Sequence, residues 1–381
     1  MNLSILGDRY NYVIVGSSLS LDLKSLKQKR EEFWTKEPVY KAIYDRLIKQ
    51  GYHLIGTIGA VKRCHWTKEA VLRHRFCYKC LWYGIESHRC IQMTPVVAWC
   101  WNRCLHCWRI QPEDIGMHWD DTRPPIIDDP EVLVEESIIT HRQIMAGYKG
   151  NPRADQKMVE EAMNPRHAAI SLTGEPLLYP RLSELIEEYH KRGLTTFLVT
   201  HGTRPDVLKN LEKEPSQLYI SFESWSRESY EYFNRPLVPR AWELFQETID
   251  YVRSFKSPVV FRITVVAGFN DHDEALRTFA KYIERGYPHY VEVKAYMFIG
   301  GSRSRLTKSN MPSHREIREV AGKLSDLTGY RVLSESIPSR IVLLSRLEKP
   351  IRHGRGCPEG VEHPEKYTPV ITEEYEEIES A

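Results

Sequence analysis

Trp99-Cys100-Trp101-Asn102-Arg103-Cys104-Leu105-His106-Cys107 carries three cysteines at C-x3-C-x2-C spacing, directly after the apolar run Thr94-Pro95-Val96-Val97-Ala98. Three thiolates this close can hold three irons of a cubane 4Fe–4S cluster. No fourth cysteine follows at matching spacing, so one iron would stay open to an exogenous ligand. Electron-transfer clusters close all four corners, whereas a catalytic centre keeps one position free. The apolar run reads as a buried strand over 94–99. The triplet then lies on the loop leaving a strand's C-terminal end, where barrel folds place their chemistry. A zinc knuckle with His106 as fourth ligand is the competing account.

Upstream, Cys64, Cys77 and Cys90 stand 13 residues apart, and Cys90 lies ten residues before Cys100. Zinc modules pair their ligands as C-x2-C, because a tight knuckle positions two at once. Lone cysteines at long, equal intervals suit a second cubane with a free iron, assembled by the fold. Cys80 could make Cys77-x2-Cys80 a knuckle pair, which keeps a zinc assignment open. Cys357 stands alone and reads as a buried bystander.

The chain has 381 residues, 41% hydrophobic and 27% charged, enough for one large core or two smaller ones. No run approaches the roughly 18–20 apolar residues of a membrane span. The opening MNLSILGDRYNYVIVG lacks a basic region and a long apolar core, so it is no secretory signal. A cytoplasmic protein is expected, in which cluster or metal ligation accounts for the cysteines better than disulfides do. The net charge of +2 hides an asymmetry, since residues 358–381 hold eight glutamates against one lysine. Between 60 and 110, nine Lys and Arg face only Glu69 and Glu86, interleaved with Trp66, Phe76, Tyr78, Trp82, Tyr83, Trp99, Trp101 and Trp108. That mixture suits phosphates and unstacked bases, or else a solvated face over aromatic core.

From 131 onward, helical and strand-like periodicities alternate. Helices are expected over 131–148, 154–163, 181–192, 206–211, 241–255 and 273–285, and strands over 167–173, 195–200, 217–222, 258–266 and 290–297. With the 94–99 strand these make six βα-type units. The class is α/β with a parallel sheet, either doubly wound or an incomplete barrel. A helix over 315–327 and strands over 330–334 and 340–347 suggest an antiparallel appendage. Polar or glycine-bearing motifs end four strands: Thr173-Gly174-Glu175-Pro176, Thr200-His201-Gly202-Thr203, Ser221-Phe222-Glu223-Ser224 and Gly268-Phe269-Asn270-Asp271. Each alone is a turn signal, but on one rim beside the cysteine loop they make a ligand platform.

C-x3-C-x2-C after the first strand and Gly174-Glu175-Pro176 after the second resemble the radical S-adenosylmethionine (radical SAM) superfamily. The resemblance implies an incomplete, TIM-like (β/α)6 barrel in which the open iron chelates SAM. One electron then breaks the sulfonium–C5′ bond to give a 5′-deoxyadenosyl radical. It also implies that Thr173, Gly174, Glu175 and Pro176 meet the SAM amino group, Thr173 replacing the first glycine of the common form. Ser221, Arg262 and Asn270 would contact its ribose and carboxylate.

The 13–13–10 cysteine spacing, with Cys77-Tyr78-Lys79 inside it, is similar to the archaeal-type tRNA 4-demethylwyosine synthase family over about residues 50–345. Thr94-Pro95, Cys107-Trp108-Arg109 and the stretch from Arg262 to Gly268 support the likeness. It implies two 4Fe–4S clusters, one on Cys100, Cys104 and Cys107 and one on Cys64, Cys77 and Cys90. The implied substrates are pyruvate and N1-methylguanosine 37 in the anticodon loop of tRNA-Phe. An external one-electron reductant is implied too, since about 50 residues before the match are too few for the flavodoxin-like domain of eukaryotic relatives. The expected organisation is an extension over 1–50, a second-cluster segment over 51–92, a radical SAM core over 93–300, a C-terminal helix and strands over 301–357, and an acidic tail over 358–381. A monomer without membrane contact is expected.

The implied chemistry makes physical sense. A methyl group without an acidic proton needs hydrogen-atom abstraction before a C–C bond can form there, which a cofactor must supply. Pyruvate could be chelated by the second cluster's open iron, or Lys79 could be catalytic and form a Schiff base with it. Competing classes are another radical SAM enzyme with an auxiliary cluster, as in activases and maturases, and a zinc-stabilised nucleic-acid-binding protein.

Overall fold

A computed structural model of the chain describes residues 13–15, 18–20, 23–117 and 121–358, so the acidic tail from 359 lies outside the described residues. Strands β1 (Val13–Val15) and β2 (Ser18–Ser20) form a small antiparallel hairpin. The other ten strands make one sheet. Strands β3 (Tyr52–Ile55) and β4 (Gly59–Lys62) add an antiparallel hairpin at one edge. Six parallel strands follow: β5 (Cys90–Thr94), β6 (His167–Ile170), β7 (Thr195–Thr200), β8 (Gln217–Phe222), β9 (Val259–Val265) and β10 (Tyr290–Ala295). At the other edge β11 (Arg331–Ser336) and β12 (Ile341–Ser345) pair antiparallel, as the expected appendage. The parallel strands neighbour one another in chain order. A doubly wound sheet reverses that order at a switch point, so the arrangement is an open, incomplete barrel.

The first parallel strand is Cys90–Thr94, earlier than the 94–99 read from the sequence. Pro95 has no N–H for the ladder and ends the strand, leaving the apolar residues after it in a buried bend. Cys90 thereby starts a barrel strand rather than ending a separate segment.

Two helices absent from the sequence reading, α1 (Leu23–Thr35) and α2 (Pro38–Lys49), fold onto the barrel. Phe33, Trp34 and Tyr40 surround Trp99 at ring separations of 6.5, 6.1 and 6.2 Å. The Trp34 indole N–H donates to the Thr57 carbonyl at 2.8 Å, and Arg30 pairs with Glu136 at 2.9 Å. Helices α3 (His65–Arg73) and α4 (Tyr78–Tyr83) begin directly after Cys64 and Cys77, which stand at their N-caps. The outer layer comprises α5 (Pro130–Ala146), α6 (Gln156–Ala162), α7 (Leu182–Lys191), α8 (Pro205–Lys209), α9 (Arg227–Asn234), α10 (Ala241–Tyr251), α11 (Asp273–Gly286) and α12 (His314–Thr328). Helix α11 shows why: Leu276, Phe279 and Ile283 fall on one buried stripe, while Arg277, Lys281 and Glu284 face solvent.

Strand alternation divides the sheet into two faces. Leu198, Ile220, Phe222, Phe261, Ile263, Val291 and Val293 lie in the core beneath the helices. Phe197, Tyr219, Val260, Tyr290 and Leu343 point inward and pack on Tyr78, Trp82, Tyr83 and Ile85. Helix α4 therefore plugs the end of the barrel where the parallel strands begin. The chain from Ile351 to Cys357 straps over that plug. The His353 backbone N–H donates to the Tyr83 carbonyl at 2.7 Å, and its Nε2 lies 2.9 Å from Gln217 Oε1. Gly84, at φ +74°, lets the strap approach; a Cβ there would meet the Gly354 carbonyl oxygen at 2.4 Å. A disulfide joins Cys80 to Cys357. Cys357 is thus no bystander, and Cys80 is turned away from any knuckle with Cys77.

Candidate active site

All six cysteines expected as ligands line one cavity of about 530 Å³ at the barrel mouth, together with Lys79, Thr173, Gly174, Glu175, Pro176, Ser221 and Arg262. Asn270 does not reach this wall. It is fully buried, its Oδ1 accepting from Val266 N at 2.8 Å and its Nδ2 donating to the carbonyls of Glu223 and Thr264 at 2.8 and 2.9 Å. It ties the end of β8 to the end of β9.

Cys100, Cys104 and Cys107 sit on the loop after β5. Backbone N–H of Asn102 points at Cys100 Sγ (3.4 Å) and the Asn234 amide at Cys104 Sγ (3.4 Å). His201 Nε2 lies 3.5 Å from Cys100 Sγ and 3.0 Å from Glu175 Oε2. Burial alone would lower the His201 pKa, but Glu175 and then Cys100 raise it to about 9. The imidazolium form is therefore the stable one beside these sulfurs. The Glu175 carboxylate also accepts from Thr200 Oγ1 (2.6 Å), Leu177 N (3.0 Å) and His201 N (3.1 Å), which locks the loop over 173–176 to the end of β7. Gly174, at φ +69°, is forced by space: a Cβ would meet the Val96 carbonyl oxygen at 1.8 Å.

The upstream cysteines come from three elements. Cys64 caps α3, Cys77 caps α4 and Cys90 opens β5. Burial first, and then Cys64 as a like charge, push the Cys77 and Cys90 thiols up to about 12. Such a set is ill suited to bare thiolates and well suited to a cationic group. Among the described residues, the one group of three ligand atoms lying within 4.8 Å of one another is Cys104, His106 and Glu223. Neither sulfur triad is that tight. A single zinc ion with bonds of about 2.3 Å to three thiolates would hold the sulfurs within ~4.6 Å of one another. A cubane puts each thiolate on a different iron, so both triads fit a cluster better than one ion. His106 turns to Glu223 (3.4 Å) and stacks on Phe233.

Lys79 lies between the triads' wall and the aromatic plug, its Nζ 4.4 Å from the Tyr219 ring centroid and 5.6 Å from that of Phe197. Burial, then Arg262, lowers its pKa. Arg262 belongs to the same group: it pairs with Glu292 (2.8 Å) and donates to Tyr78 Oη (3.0 Å).

The basic, aromatic stretch of 60–110 is divided between core and rim. Phe76, Tyr78, Trp82, Tyr83 and Trp99 are core. Arg89 is largely buried and pairs with Glu86 (3.0 Å), and Arg75 turns to Glu69 (3.3 Å). Arg73 stays exposed, and half-buried Trp66 and Trp108 line the mouth. Sequence reading placed His201 and Glu223 within the strand-end motifs of the ligand platform, and passed over Glu292 and Lys294 as site residues. The signal for Glu292 and Lys294 was period two, since with Arg262 and Thr264 they are the polar positions of otherwise apolar strands.

The radical SAM superfamily profile matches residues 94–280, and that for wyosine base formation matches residues 285–346. The S-adenosyl-L-methionine-dependent tRNA 4-demethylwyosine synthase of Pyrococcus abyssi is 48% identical over 302 residues, 78% of this chain and 86% of that protein. Its counterpart from Pyrococcus horikoshii is 47% identical over 310 residues, 80% and 89% of the two chains. A solved structure of TYW1 with a lysine–pyruvate adduct bound superposes with a TM-score of 0.73 at 38% identity, covering 82% of this chain and 97% of that one. Barrel and mouth are those of a radical SAM enzyme, which implies a 4Fe–4S cluster and SAM. Within that superfamily, the chain belongs to the S-adenosyl-L-methionine-dependent tRNA 4-demethylwyosine synthase family.

Proposed function

We propose that this enzyme builds 4-demethylwyosine by joining N1-methylguanosine 37 of tRNA-Phe to two carbons of pyruvate. The observation that carries the reading is the convergence of two cysteine triads and Lys79 on a single cavity. Cys100, Cys104 and Cys107 hold the SAM-binding 4Fe–4S cluster, beside Gly174, Pro176 and the Thr173 carbonyl. Cys64, Cys77 and Cys90 hold a second one. When bound, the SAM-ligated cluster supplies the one-electron cleavage that yields a 5′-deoxyadenosyl radical for the unactivated methyl group.

Lys79 takes up the keto acid. Its free amine attacks the pyruvate keto carbon, a C–N bond forms, and the former keto oxygen leaves as water to give the imine. Burial enlarges the free-amine fraction, and the Tyr219 and Phe197 rings hold the side chain in place. The lysine–pyruvate adduct in the solved relative supports this role. Trp66 and Trp108 at the mouth offer faces for a splayed anticodon-loop base. The enzyme works in the cytoplasm as a monomer served by an external one-electron reductant; no described helix is long and apolar enough to cross a membrane.

The test is an anaerobic reaction of reduced, iron-loaded protein with N1-methylguanosine-bearing tRNA, SAM and pyruvate, read by nucleoside mass spectrometry. The tricyclic nucleoside is expected, and its absence alongside active SAM cleavage would overturn the reading.

A further inference from the structure

Strands β9 and β10 run in register, with Arg262 opposite Glu292 and Thr264 opposite Lys294. All four alternate with apolar residues that face the helices. The lower pair satisfies itself, since Arg262 and Glu292 bond at 2.8 Å. The upper pair does not. Lys294 and Thr264 both lie on the cavity wall, and the Lys294 ammonium donates to the Ser339 carbonyl at 2.9 Å. No carboxylate among the described residues pairs with Lys294 or with Lys79. The two lysines flank the same aromatic pair: Lys79 lies over Tyr219, and Lys294 has its Nζ 5.9 Å from the Tyr78 ring.

Uncompensated cations deep in a protein wall are costly, and an anion entering the cavity relieves that cost. The Lys79 nitrogen is taken up by the keto carbon, so the substrate carboxylate needs a donor of its own. We propose that Lys294 binds the carboxylate of the α-keto acid whose keto carbon Lys79 takes up, with the Thr264 hydroxyl as second donor. This deepens the reading of the cavity given above and rests on it. An α-keto acid carries its carboxylate on the carbon next to the keto group, so an amine and an ammonium lining one cavity read both groups together. Burial, then Arg262, lowers the Lys294 pKa to about 8, which leaves it predominantly charged at neutral pH.

The experiment uses holoenzyme with its iron restored, equilibrated with radiolabelled pyruvate or with the neutral methyl ester of pyruvate. Lys294→Met should weaken pyruvate binding by about tenfold or more and abolish the preference for acid over ester. Lys294→Arg should keep that preference, while iron content and SAM cleavage stay at wild-type levels in both variants. Unchanged affinity and unchanged preference in Lys294→Met would overturn the proposal. Borohydride trapping in parallel tests the reading beneath it. If wild type binds pyruvate but traps no adduct on Lys79, the imine fails, and the affinity comparison still decides the role of Lys294.

Discussion

The cavity is walled by two cysteine triads of equal size and opposite construction. Cys100, Cys104 and Cys107 fall within one loop, whose sulfurs are oriented by nearby N–H groups of Asn102, Asn234 and His201. Cys64, Cys77 and Cys90 come from two helix caps and a strand start, and only tertiary packing gathers them. A loop triad can be read and damaged locally. A triad assembled across three elements is exposed to any change that shifts one of them, and it brings Lys79 along because Cys77 caps α4 and Lys79 lies within it.

The largest effect should come from the loop. Cys100→Ala, Cys104→Ala or Cys107→Ala should reduce 5′-deoxyadenosine formation to background and lower iron by about four per chain. Wild-type SAM cleavage in any one of them would break the assignment. Replacing Cys64, Cys77 or Cys90 should remove a similar amount of iron and stop nucleoside product, yet leave SAM cleavage running. If cleavage stops as well, the two sites are not separable in the way their construction implies.

Backbone changes should be graded between these extremes. Gly174→Ala places a methyl group on the Val96 carbonyl at a positive φ, and should cost roughly 2–3 kcal/mol, seen as a lowered thermal midpoint and weaker SAM binding. An unshifted midpoint would mean that the loop over 173–176 is free to move. Ser87 is the joint of the upstream triad, its Oγ accepting from Cys77 N at 3.1 Å and its carbonyl accepting from Thr67 Oγ1 at 3.0 Å. Ser87→Ala should cost about 1 kcal/mol and loosen only the upstream site, so its iron should be lost to chelator sooner than the loop triad's. Equal loss from both sites would erase the contrast. The smallest effect belongs to Cys80→Ser, which should retain full iron and product because Cys80 faces Cys357 rather than the cavity.

What could be read from the chain follows the same contrast. The loop triad and the Gly-Glu-Pro turn are contiguous, so their spacing carries their geometry. The alternation of β and α segments likewise carried the barrel, apart from the strand that Pro95 ends early. Long-range consequences were harder. Arg89 belongs to the basic stretch that suits phosphates, and its local pairing with Glu86 gives no sign that the fold buries it with its Nε on the carbonyl of Asn164. Asn270 looked like a ligand contact because a strand-end amide gives no sign of which carbonyls it will reach. Lys294 was legible in principle as a charge on an inward strand position, but its meaning depends on Glu292 answering Arg262 and leaving it unmatched.

The aromatic plug sets a rule of traffic. Tyr78, Trp82 and Tyr83, with the strap over 351–357 behind them, seal the chamber floor, so small reactants share the mouth with the macromolecule. An RNA loop seated there is also a stopper. On the proposed reading, the keto acid and SAM are aboard before it docks, and spent fragments wait for it to leave. Entry by the shared mouth then gives sequential kinetics, with the largest guest last to enter and first to go.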